Sequence, residues 1–472
     1  MQECILIAYS EVGLKGREGM QRKKFEEALA KNISAICGSR VRRVKGRIVV
    51  SPKNEDEMCI MLSKIRCVFG VSHYFRAWCF TFSSIDEITK NIAGLFGKTV
   101  SEKKFRVTAR REGNHHFRSM DLQRSVGKAL NDAGGKVDLE DYEINVNVEV
   151  RENKVYAYCE RIEGPGGLPV GTMGKVIVLF SGGIDSPVAA WMAMKRGCVP
   201  DFLFINLGGN DAFERTYSVY REFVKMWCIG HRPRFFVADG RGIVDAITSC
   251  VKPSYRQVVL KRAFYSIASG MCKRTGMGGI VTGESLGQVS TQTLANLSAI
   301  ETNEDVFFIR PLICLDKEDI IGIAKKIGTY GLSIKVGELC GISKGSVKTA
   351  ASAGSVNWEF GKVSCAAEEA LSSVREVDWE NNAVVDKGCM TAKYLGEDRA
   401  CGVDVTIVTN PPSSGGEKWV KIDIDKETLD AEKLDKNVNY YIMCKDGIKA
   451  SVECDMLRKL GFKCVSSKKS LM

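Results

Sequence analysis

The stretch from Lys175 to Gly197, KVIVLFSGGIDSPVAAWMAMKRG, constrains the fold more than any other segment. An apolar strand pattern ends abruptly at Ser181, Gly182 and Gly183, and an apolar helical pattern follows Pro187. In an open parallel sheet, ligands bind beyond the carboxyl ends of strands. Two glycines let the backbone approach an anion closely, and the N–H groups and dipole of the next helix attract it. The turn therefore predicts a phosphate site in an α/β domain.

Asp185 and Ser186 complete this turn, and the carboxylate beside a phosphate site predicts Mg²⁺ as its companion. The turn is not the G-x-x-x-x-G-K-S loop, because no lysine follows at that spacing, and it is not G-x-G-x-x-G. The structural alternative is a tight strand–helix turn with capping residues. Two glycines alone would not distinguish these interpretations. A strand followed by SGGxDS, proline and a helix is a more specific pattern, and it favours the phosphate site.

The segments around the turn predict several domains. From 175 to about 330, nearly continuous apolar strands alternate with helical patterns, which is typical of a doubly wound parallel sheet. The stretch GPGGLPVGTMG at 164–174 marks a domain boundary before it. Two α+β units precede this linker, and a further strand–loop–helix pattern occupies about the last 85 residues.

Composition narrows the class of protein. No run of 18 apolar residues occurs, which argues against a membrane span, and the first residues do not resemble a secretory signal, so we expect a cytoplasmic protein. The 18 cysteines never form a C-x-x-C spacing, so we predict no structural zinc site and no other metal centre held by the protein's own ligands. The net charge is +11, and residues 1–165 hold 29 Lys and Arg against 22 Asp and Glu. This basic first third favours a polyanionic partner, although a solvated basic face is an equal alternative.

Several longer motifs accompany the glycine turn, namely PVGTMGKVIVLFSGGIDSPVAAW, INLGG, TGESLGQVSTQTLANL, RPLICLDKEDII and IGTYGLS. They resemble one family, the tRNA 4-thiouridine synthases, which are tRNA sulfurtransferases, and the resemblance covers nearly the whole chain. EVGLKGREGMQRKKFEEAL is similar to that family's opening, and FRVTARREGNHHF with LPVGT is similar to its THUMP RNA-binding module.

The resemblance implies an α/β multidomain fold. Its expected parts are an N-terminal ferredoxin-like α+β domain at 1–60, a THUMP domain at 61–165, a doubly wound PP-loop ATP pyrophosphatase domain at 172–345, a connector at 346–384 and a rhodanese-like α/β domain at 385–472.

The resemblance also implies a set of residues that bind ATP. In the family the glycine turn holds the phosphates, and its aspartate, here Asp185, is needed for activity. The residues carried over for nucleotide binding are Leu179, Phe180, Ser181, Gly182, Gly183, Ser186, Phe204, Ile205, Lys261, Gly283 and Gln292. Leu179, Phe180, Phe204 and Ile205 are expected to act through their backbone. By sequence alone, Lys261 resembles a solvated helix residue.

Two cysteines acquire roles through the resemblance. SIKVGELCGISKGSVKTA resembles the segment with the family's catalytic cysteine, here Cys340, and NYYIMCKDGIKASVEC resembles a rhodanese loop with Cys444. The implied chemistry is a persulfide on Cys444 and a redox-active Cys340–Cys444 disulfide after sulfur transfer. The loop departs from rhodaneses, because Lys449 and Ala450 stand where an arginine is usual. Cys454 and Cys464 are interpreted as core residues.

Two clusters of cations in the first third are candidates for RNA contact. Arg42 and Arg43 lie with Lys45 and Arg47 on one strand pattern. Arg106, Arg110, Arg111 and Arg118 lie near His115, His116 and Phe117. Arginine and lysine contact phosphates without strict geometry. Phe117 could stack on a base, but packing inside the domain is the favoured interpretation of this aromatic residue.

The resemblance implies ATP-dependent transfer of persulfide sulfur to uridine at position eight of tRNA, through an adenylated uridine. The resemblance implies tRNA and a cysteine desulfurase as partners, and sulfur transfer to a carrier protein for thiamine thiazole as a second role. A homodimer is left open. Two alternatives remain: an amide-forming ligase, which would need neither Cys444 nor a basic RNA module, and an RNA-binding protein with a retired catalytic domain, which the intact SGGIDS turn disfavours.

Overall fold

The structure is a computed structural model that describes residues 1–9, 20–38, 41–301, 304–337 and 347–377, together with the backbone of four strands between 384 and 468. The chain divides into two compact units. One unit comprises residues 1–205 and 216–374, and the other comprises residues 206–215 and those from 375 onward.

The first domain is a βαββαβ unit, the ferredoxin-like arrangement. Its elements are β1 (Gln2–Tyr9), α1 (Met20–Cys37), β2 (Arg42–Val44), β3 (Arg47–Val50), α2 (Glu55–Ile65) and β4 (Val71–Thr81). Its strands run in the order β2-β3-β1-β4, and β1 pairs antiparallel with both β3 and β4. Residue 60, where the domain was predicted to end, lies inside α2, and β4 pairs with β1 along its length. The ferredoxin-like domain therefore includes β4, and the predicted end at residue 60 is too early.

The second domain extends the same sheet. Its elements are α3 (Ile85–Val100), β5 (Lys104–Glu112), α4 (Ser119–Asp132), β6 (Lys136–Val137), β7 (Ile144–Arg151) and β8 (Lys154–Tyr158), followed by β9 (Ile162–Glu163). β4 pairs with β8, so one sheet runs through both domains in the order β2-β3-β1-β4-β8-β7-β5-β6, and β9 pairs with β4. Helix α4 begins at Ser119 after the N-cap Arg118, whose N–H donates to the carboxylate of Asp121 at 2.8 Å.

The two faces of this sheet differ in what they bury. One face packs against helices: Ile5 and Ile48 meet Ile33 of α1, and Val107 and Val148 lie in one core with residues of α3 and α4. Alternate strand residues point to the opposite face. There they form a smaller cluster built from strand residues alone, namely Cys4, Leu6, Ala8, Val49, Phe75, Ala77, Tyr156 and Tyr158. We call this the open face of the N-terminal sheet.

A second sheet follows the linker. Its strands in the first unit are β10 (Lys175–Leu179), β11 (Val199–Asn206), β12 (Phe235–Asp239), β13 (Gly279–Val281) and β14 (Phe307–Ile309). They run in the order β14-β13-β10-β11-β12, and the pairs β10–β11, β10–β13 and β13–β14 are parallel. From β10 the chain adds strands first on one side and then on the other, so a topological switch point lies between β10 and β13.

Helices of this region form two groups on the sheet. They are α5 (Asp185–Lys195), α6 (Gly209–Trp227), α7 (Arg241–Cys250), α8 (Arg256–Thr275) after a 3₁₀ turn at Pro253–Tyr255, α9 (Leu294–Glu301), α10 (Lys317–Lys326), α11 (Tyr330–Ser333), α12 (Ala353–Gly361) and α13 (Ser364–Ser372). α5 contacts α10, whereas α8 contacts α7, α9, α12 and α13. The stretch predicted as a connector therefore contains two helices that pack on α8.

The second unit is described mainly by its strands. β15 (Arg375–Val377) and β16 (Val384–Val385) pair antiparallel. β17 (Trp419–Asp423), β18 (Asn439–Cys444) and β19 (Lys463–Lys468) form a parallel three-stranded sheet with β18 in the middle. Cys444 is the last residue of the central strand, and Cys464 lies on β19.

Candidate active site

The glycine turn lies at the carboxyl end of β10, against the side of α6. Gly182 has φ +76°, a left-handed conformation that L side chains rarely adopt. A Cβ atom built on Gly182 would lie 2.8 Å from Cα of Thr216. The Thr216 hydroxyl donates to the carbonyl of Ser181 at 2.9 Å, which fixes the turn from the same side. Glycine is therefore required at 182 by both conformation and space.

A second glycine brings the neighbouring strand to the same point. Gly283 follows β13, which pairs in parallel with β10. A Cβ atom built on Gly283 would lie 3.1 Å from Cβ of Asp185 and 3.2 Å from the backbone nitrogen of Ser186. The start of α5 and the loop after β13 thus meet at the switch point of the sheet. This is where ligands bind in doubly wound folds.

Asp185 is the first residue of α5, and two side chains from separate segments of the chain hold its carboxylate. Lys317, at the start of α10, lies with Nζ 2.8 Å from Oδ1, and Gln288 donates from Nε2 to Oδ2 at 2.9 Å. Lys317 remains 43% exposed and Asp185 25% exposed. A lysine at this point carries positive charge to the mouth of the glycine turn, where a phosphate would lie. Neither Lys317 nor Gln288 was among the predicted residues.

Two buried oxygens near the turn have no hydrogen-bond partner within the described residues. One is Oγ of Ser186, whose side chain is 5% exposed, and the other is Oε1 of Gln288. A buried hydroxyl without a partner costs free energy unless water or a ligand satisfies it. The turn therefore combines helix-start N–H groups, an unpartnered hydroxyl and a nearby lysine, which together suit an anionic ligand.

Behind the loop after β13, a buried carboxylate organises four side chains. Glu284 is buried, and its Oε1 lies 3.6 Å from Nζ of Lys261, while Oε2 accepts from Tyr265 at 2.7 Å and also from Thr282. Nε of Arg310 lies 3.4 Å from the same Oε2. Burial alone would raise the pKa of Glu284, but Lys261, the two hydroxyl donors and Arg310 outweigh it, so its pKa is lowered. Lys261 is thus held by a fixed, ionised partner.

Other predicted nucleotide residues lie around the same strand ends. Leu179 is in register with Leu203, and the N–H of Phe180 donates to the carbonyl of Leu203 at 2.9 Å. The side chains of Phe180 and Phe204 are buried, and contact of these residues with a nucleotide through their backbone stays a prediction. Gln292 shapes the loop after Gly283 by accepting from the N–H of Ser285 at 3.2 Å. This contact makes Gln292 a residue that orders the loop.

The first cluster of RNA candidates lies on the β2–β3 hairpin, with Arg42 on the open face of the N-terminal sheet and Arg43 on the face that packs against α1. Arg42 donates to the hydroxyl of Tyr156 at 2.8 Å, and Lys45 pairs with Glu112 at 2.5 Å. Arg43, an exposed residue, lies 3.3 Å from a carboxylate oxygen of Glu27. These cations line a pocket of about 380 Å³ between the β2–β3 and β7–β8 turns. Its charged lining residues are Arg42, Arg43, Lys45, Arg151, Lys154, Glu112 and Glu152.

Arg47, by contrast, is a structural residue. It lies 2.8 Å from Glu149, which also pairs with Arg151 at 2.7 Å and accepts from Tyr158 at 2.8 Å. Glu149 is buried, and burial alone would raise its pKa. The two arginines have the larger, opposite effect, so the pKa of Glu149 is lowered. Because Arg47 comes from the first domain and Glu149 from the second, this network joins the two domains under the pocket.

The second cluster of RNA candidates is more dispersed. Arg110 and Arg118 are exposed, and Arg110 pairs in register with Glu149 on the open face. Arg111 donates to the carbonyl of Gly113 at 3.0 Å, and Arg106 lies over the ring of Tyr142 at 3.9 Å. Phe117 is half-buried and meets Phe82 edge-to-face, with ring centroids 6.0 Å apart. Packing is therefore its structural role.

The predicted cysteine chemistry falls largely outside the described residues. Cys340 lies outside them, and so do Cys454, Lys449 and Ala450. Cys444 is described only as backbone, at the carboxyl end of β18. The predicted Cys340–Cys444 disulfide therefore stays a prediction.

Within the described residues, no group of three or more His, Cys, Asp or Glu side chains could hold a metal ion. A magnesium ion that arrives with ATP needs only one or two carboxylates besides the phosphates. Asp185 fits that requirement as a single carboxylate at the phosphate turn. Also within the described part of the chain, no helix is long and apolar enough to cross a membrane.

Comparison with known proteins shows which family has this arrangement of domains. Three family models match the chain: a ThiI ferredoxin-like domain over residues 4–74, a THUMP domain over 82–160, and "Thiamine biosynthesis protein (ThiI)" over 171–364. A tRNA sulfurtransferase from Pyrobaculum aerophilum is 34% identical over 487 residues, spanning 99% of this chain and 97% of that relative. The chain belongs to the tRNA sulfurtransferase family.

Further members of the family agree with the fold. A probable tRNA sulfurtransferase from Saccharolobus solfataricus is 40% identical over 340 residues, which span 72% of this chain and 90% of that protein. A solved 4-thiouridine synthetase in complex with RNA and ATP superposes with a TM-score of 0.71 at 29% identity, covering 80% of this chain and 100% of the solved one. The resemblance seen in the motifs is thus confirmed at the level of family, ferredoxin-like domain, THUMP domain and ThiI domain.

Proposed function

We propose that this protein uses ATP to convert a uridine of tRNA, at position eight, to 4-thiouridine. The observation that carries the proposal is the anion cradle at the switch point, where Gly283 lets the loop after β13 approach the start of α5 and Gly182 lets the turn after β10 approach α6. The solved relative described as a 4-thiouridine synthetase–RNA complex with bound ATP supports both substrates. Asp185 and Lys317 lie at the mouth of this cradle.

The chain's residues would divide the work as follows. The N–H groups at the start of α5 and the hydroxyl of Ser186 would bind phosphate oxygens. Lys317 would move from Asp185 towards the phosphates, leaving the carboxylate to hold Mg²⁺ that comes with ATP. Lys261, fixed by Glu284, would supply a second positive charge as charge develops on the leaving pyrophosphate.

The reaction explains why ATP is needed. The carbonyl oxygen at C4 of uracil is a poor leaving group, so it first attacks the α-phosphate of ATP and pyrophosphate departs. The terminal sulfur of a persulfide on Cys444 then attacks C4, and AMP leaves. Cys340 would attack the Cys444 sulfur, which frees the thiolated base and forms a Cys340–Cys444 disulfide that an external thiol reduces.

The proposed partners follow from this chemistry. A cysteine desulfurase would supply the persulfide sulfur. The position of Cys444 at the carboxyl end of a central parallel strand supports a sulfur-carrier role for the C-terminal, rhodanese-like region. The matched model's description, a thiamine biosynthesis protein, favours a second role in which the same persulfide serves a carrier protein for thiamine.

The proposal is tested by Asp185→Ala with tRNA transcript, ATP and a persulfide donor. We expect 4-thiouridine formation and coupled AMP release to fall by at least about 100-fold, because the carboxylate acts at the reacting phosphates. RNA binding should persist, and Asp245→Ala, an exposed aspartate on α7, should behave as wild type. AMP release by the wild type that is not proportional to thiolated nucleoside would refute the proposal.

A further inference from the structure

The pocket of about 380 Å³ on the open face of the N-terminal sheet has walls from both of the first two domains. One wall is the β2–β3 hairpin of the first domain, and the other is the β7–β8 hairpin of the second. Arg42 points to this face because it is in register with Val49, a member of the cluster there. Lys154 points there too, since it precedes Tyr156 of the same cluster by two residues on β8. None of the lining residues belongs to the nucleotide site.

A network beneath the pocket fixes the two hairpins relative to each other. The guanidinium of Arg151, at the end of β7, donates to the carbonyl oxygen of Lys45 in the β2–β3 turn. Arg151 is also held by Glu149, which pairs with Arg47 of β3. The walls of the pocket are therefore pre-formed, and Glu149 balances part of the charge of the two arginines below it.

Two cations of the pocket have no carboxylate partner within the described residues, namely Arg42 and Lys154. The Arg42 guanidinium donates to the hydroxyl of Tyr156 at 2.8 Å, a neutral partner that leaves its charge uncompensated. Cations on a convex surface are ordinarily solvated, but here two of them line one concave site together with a tyrosine hydroxyl. Such a site favours a small anion that has more than one negative charge.

The shape of the pocket indicates which phosphate of an RNA it suits. A phosphodiester inside a strand has one negative charge and needs a path for the chain on both sides. A terminal phosphate monoester has a charge of about −1.5 to −2 at pH 7 and three free oxygens. A site between two hairpins admits a chain end more readily than a continuous chain, and two uncompensated cations match a dianion. In tRNA the terminal phosphate is at the 5′ end, since the 3′ end is a hydroxyl.

We propose that this pocket binds the 5′-terminal phosphate of the tRNA substrate. Arg42 and Lys154 contact the phosphate oxygens, and the hydroxyl of Tyr156 orients the Arg42 guanidinium. The contact fixes one end of the RNA on the N-terminal sheet, whereas the exposed cations around it bind the strand without strict geometry. The inference rests on the proposed function only in taking tRNA as the substrate, and it involves no step of the thiolation chemistry.

The test compares two forms of one tRNA transcript on the full-length protein, one with a 5′ monophosphate and one dephosphorylated to a 5′ hydroxyl. Filter binding without ATP gives the Kd of each form, so the result does not depend on thiolation. We expect the phosphorylated RNA to bind about 10-fold more tightly, which is the order of one charge-assisted contact. Equal affinity for the two forms would overturn the proposal.

Variants locate the contact. Lys154→Gln should reduce the preference for the 5′ phosphate from about 10-fold to about 3-fold or less, because it removes one of the two uncompensated charges, and Arg42→Gln should do the same. Tyr156→Phe retains both charges and should retain most of the preference. Lys98→Gln is the matched control, since Lys98 is exposed on α3 at the opposite face of the sheet. A full preference in Lys154→Gln, or an equal loss in Lys98→Gln, would overturn the assignment to this pocket.

A free phosphate is the other source of the same chemistry. Inorganic phosphate at about 1 mM should leave the preference intact, because the 5′ phosphate belongs to an RNA that the sheet binds at other points and therefore has a high effective concentration. Loss of the preference at this concentration would assign the pocket to free phosphate and would overturn its assignment to RNA.

Discussion

The proposed nucleotide site and the open face of the N-terminal sheet both contain cations, but they hold them differently. At the nucleotide site, Lys317 and Lys261 each face a carboxylate that other side chains also fix. Around the open face, Lys45 of the β2–β3 turn belongs to an exposed pair and is 80% exposed, and Arg43 on the other face of the same hairpin also belongs to an exposed pair. Fixed geometry is what chemistry requires, whereas contact with a flexible chain of phosphates does not require it.

This difference has a consequence for substitution. At the nucleotide site a single change should remove most of the activity, because groups there act together on a few atoms. On the open face the effect should be graded, because each cation contributes one phosphate contact among several. Four variants test this contrast, beginning with the strongest effect.

Lys317→Met should reduce thiolation by about 100- to 1000-fold, since it removes a charge directed at the phosphates. RNA affinity should stay unchanged, because Lys317 pairs with Asp185 at the glycine turn and is not one of the cations of the N-terminal sheet. The measurement is single-turnover formation of 4-thiouridine at saturating RNA. Lys326→Met, at the other end of α10, is the matched control. A large loss in that control would mean that the helix, and not the Lys317 charge, is responsible.

Gly182→Ala should reduce the same rate by about 100-fold, the cost of a displacement of about 1 Å at a reacting centre. Alanine disfavours φ +76°, and its Cβ would lie 2.8 Å from Thr216, so the turn must shift. Gly322→Ala, on α10 with no atom near the added Cβ, is the control. If Gly182→Ala binds ATP and thiolates RNA normally, the close approach of α6 to the turn is not needed for function.

Local patterns predict much of this arrangement, and they fail where distant segments meet. The strand of β10 and the turn after it follow from an apolar run and two glycines. The sequence patterns did not predict roles for Lys317, Gln288 and Glu284, although these residues lie in the motifs RPLICLDKEDII and TGESLGQVSTQTLANL. Their roles depend on the pairing of β13 with β10, which brings residues about 100 positions apart into contact. A charged residue shortly after a buried strand often has a functional role. The sequence Thr282-Gly283-Glu284, which follows β13, carries this signal for Glu284.

Contacts between distant segments also explain why the predicted domain boundaries differ from those in the structure. The predicted break at residue 60 leaves out β4, which joins the first domain through long-range pairing with β1. The helices α12 and α13 are weakly patterned, and only their packing on α8 reveals that they belong to the first unit.

Glu284→Gln tests the fixed partner of Lys261. Loss of the charge should lower the free energy of unfolding by about 2 kcal/mol near neutral pH, equivalent to about 30-fold. The pKa of Glu284 is lowered in the folded protein, so its contribution is present above the ordinary carboxyl value of about 4.3 and is lost as pH falls through the folded value. Urea denaturation at pH 7 and at pH 4 should show the difference from wild type shrinking at the lower pH. A constant difference would contradict an ionised Glu284.

Arg110→Gln should have the smallest effect, a loss of RNA affinity of about 3-fold at physiological salt. Arg110 is exposed on the open face, and an exposed cation contributes one screened phosphate contact. Affinity measured by filter binding between low and moderate salt should show a slope of log Kd against log salt that is lower by about 0.7 to 0.9, the value for one phosphate. Lys103→Gln, an exposed lysine just before β5, should leave the slope unchanged. A thiolation rate at saturating RNA that falls with Arg110→Gln would mean that this face orients the reacting base as well as binding it, and would erase the contrast between the two regions.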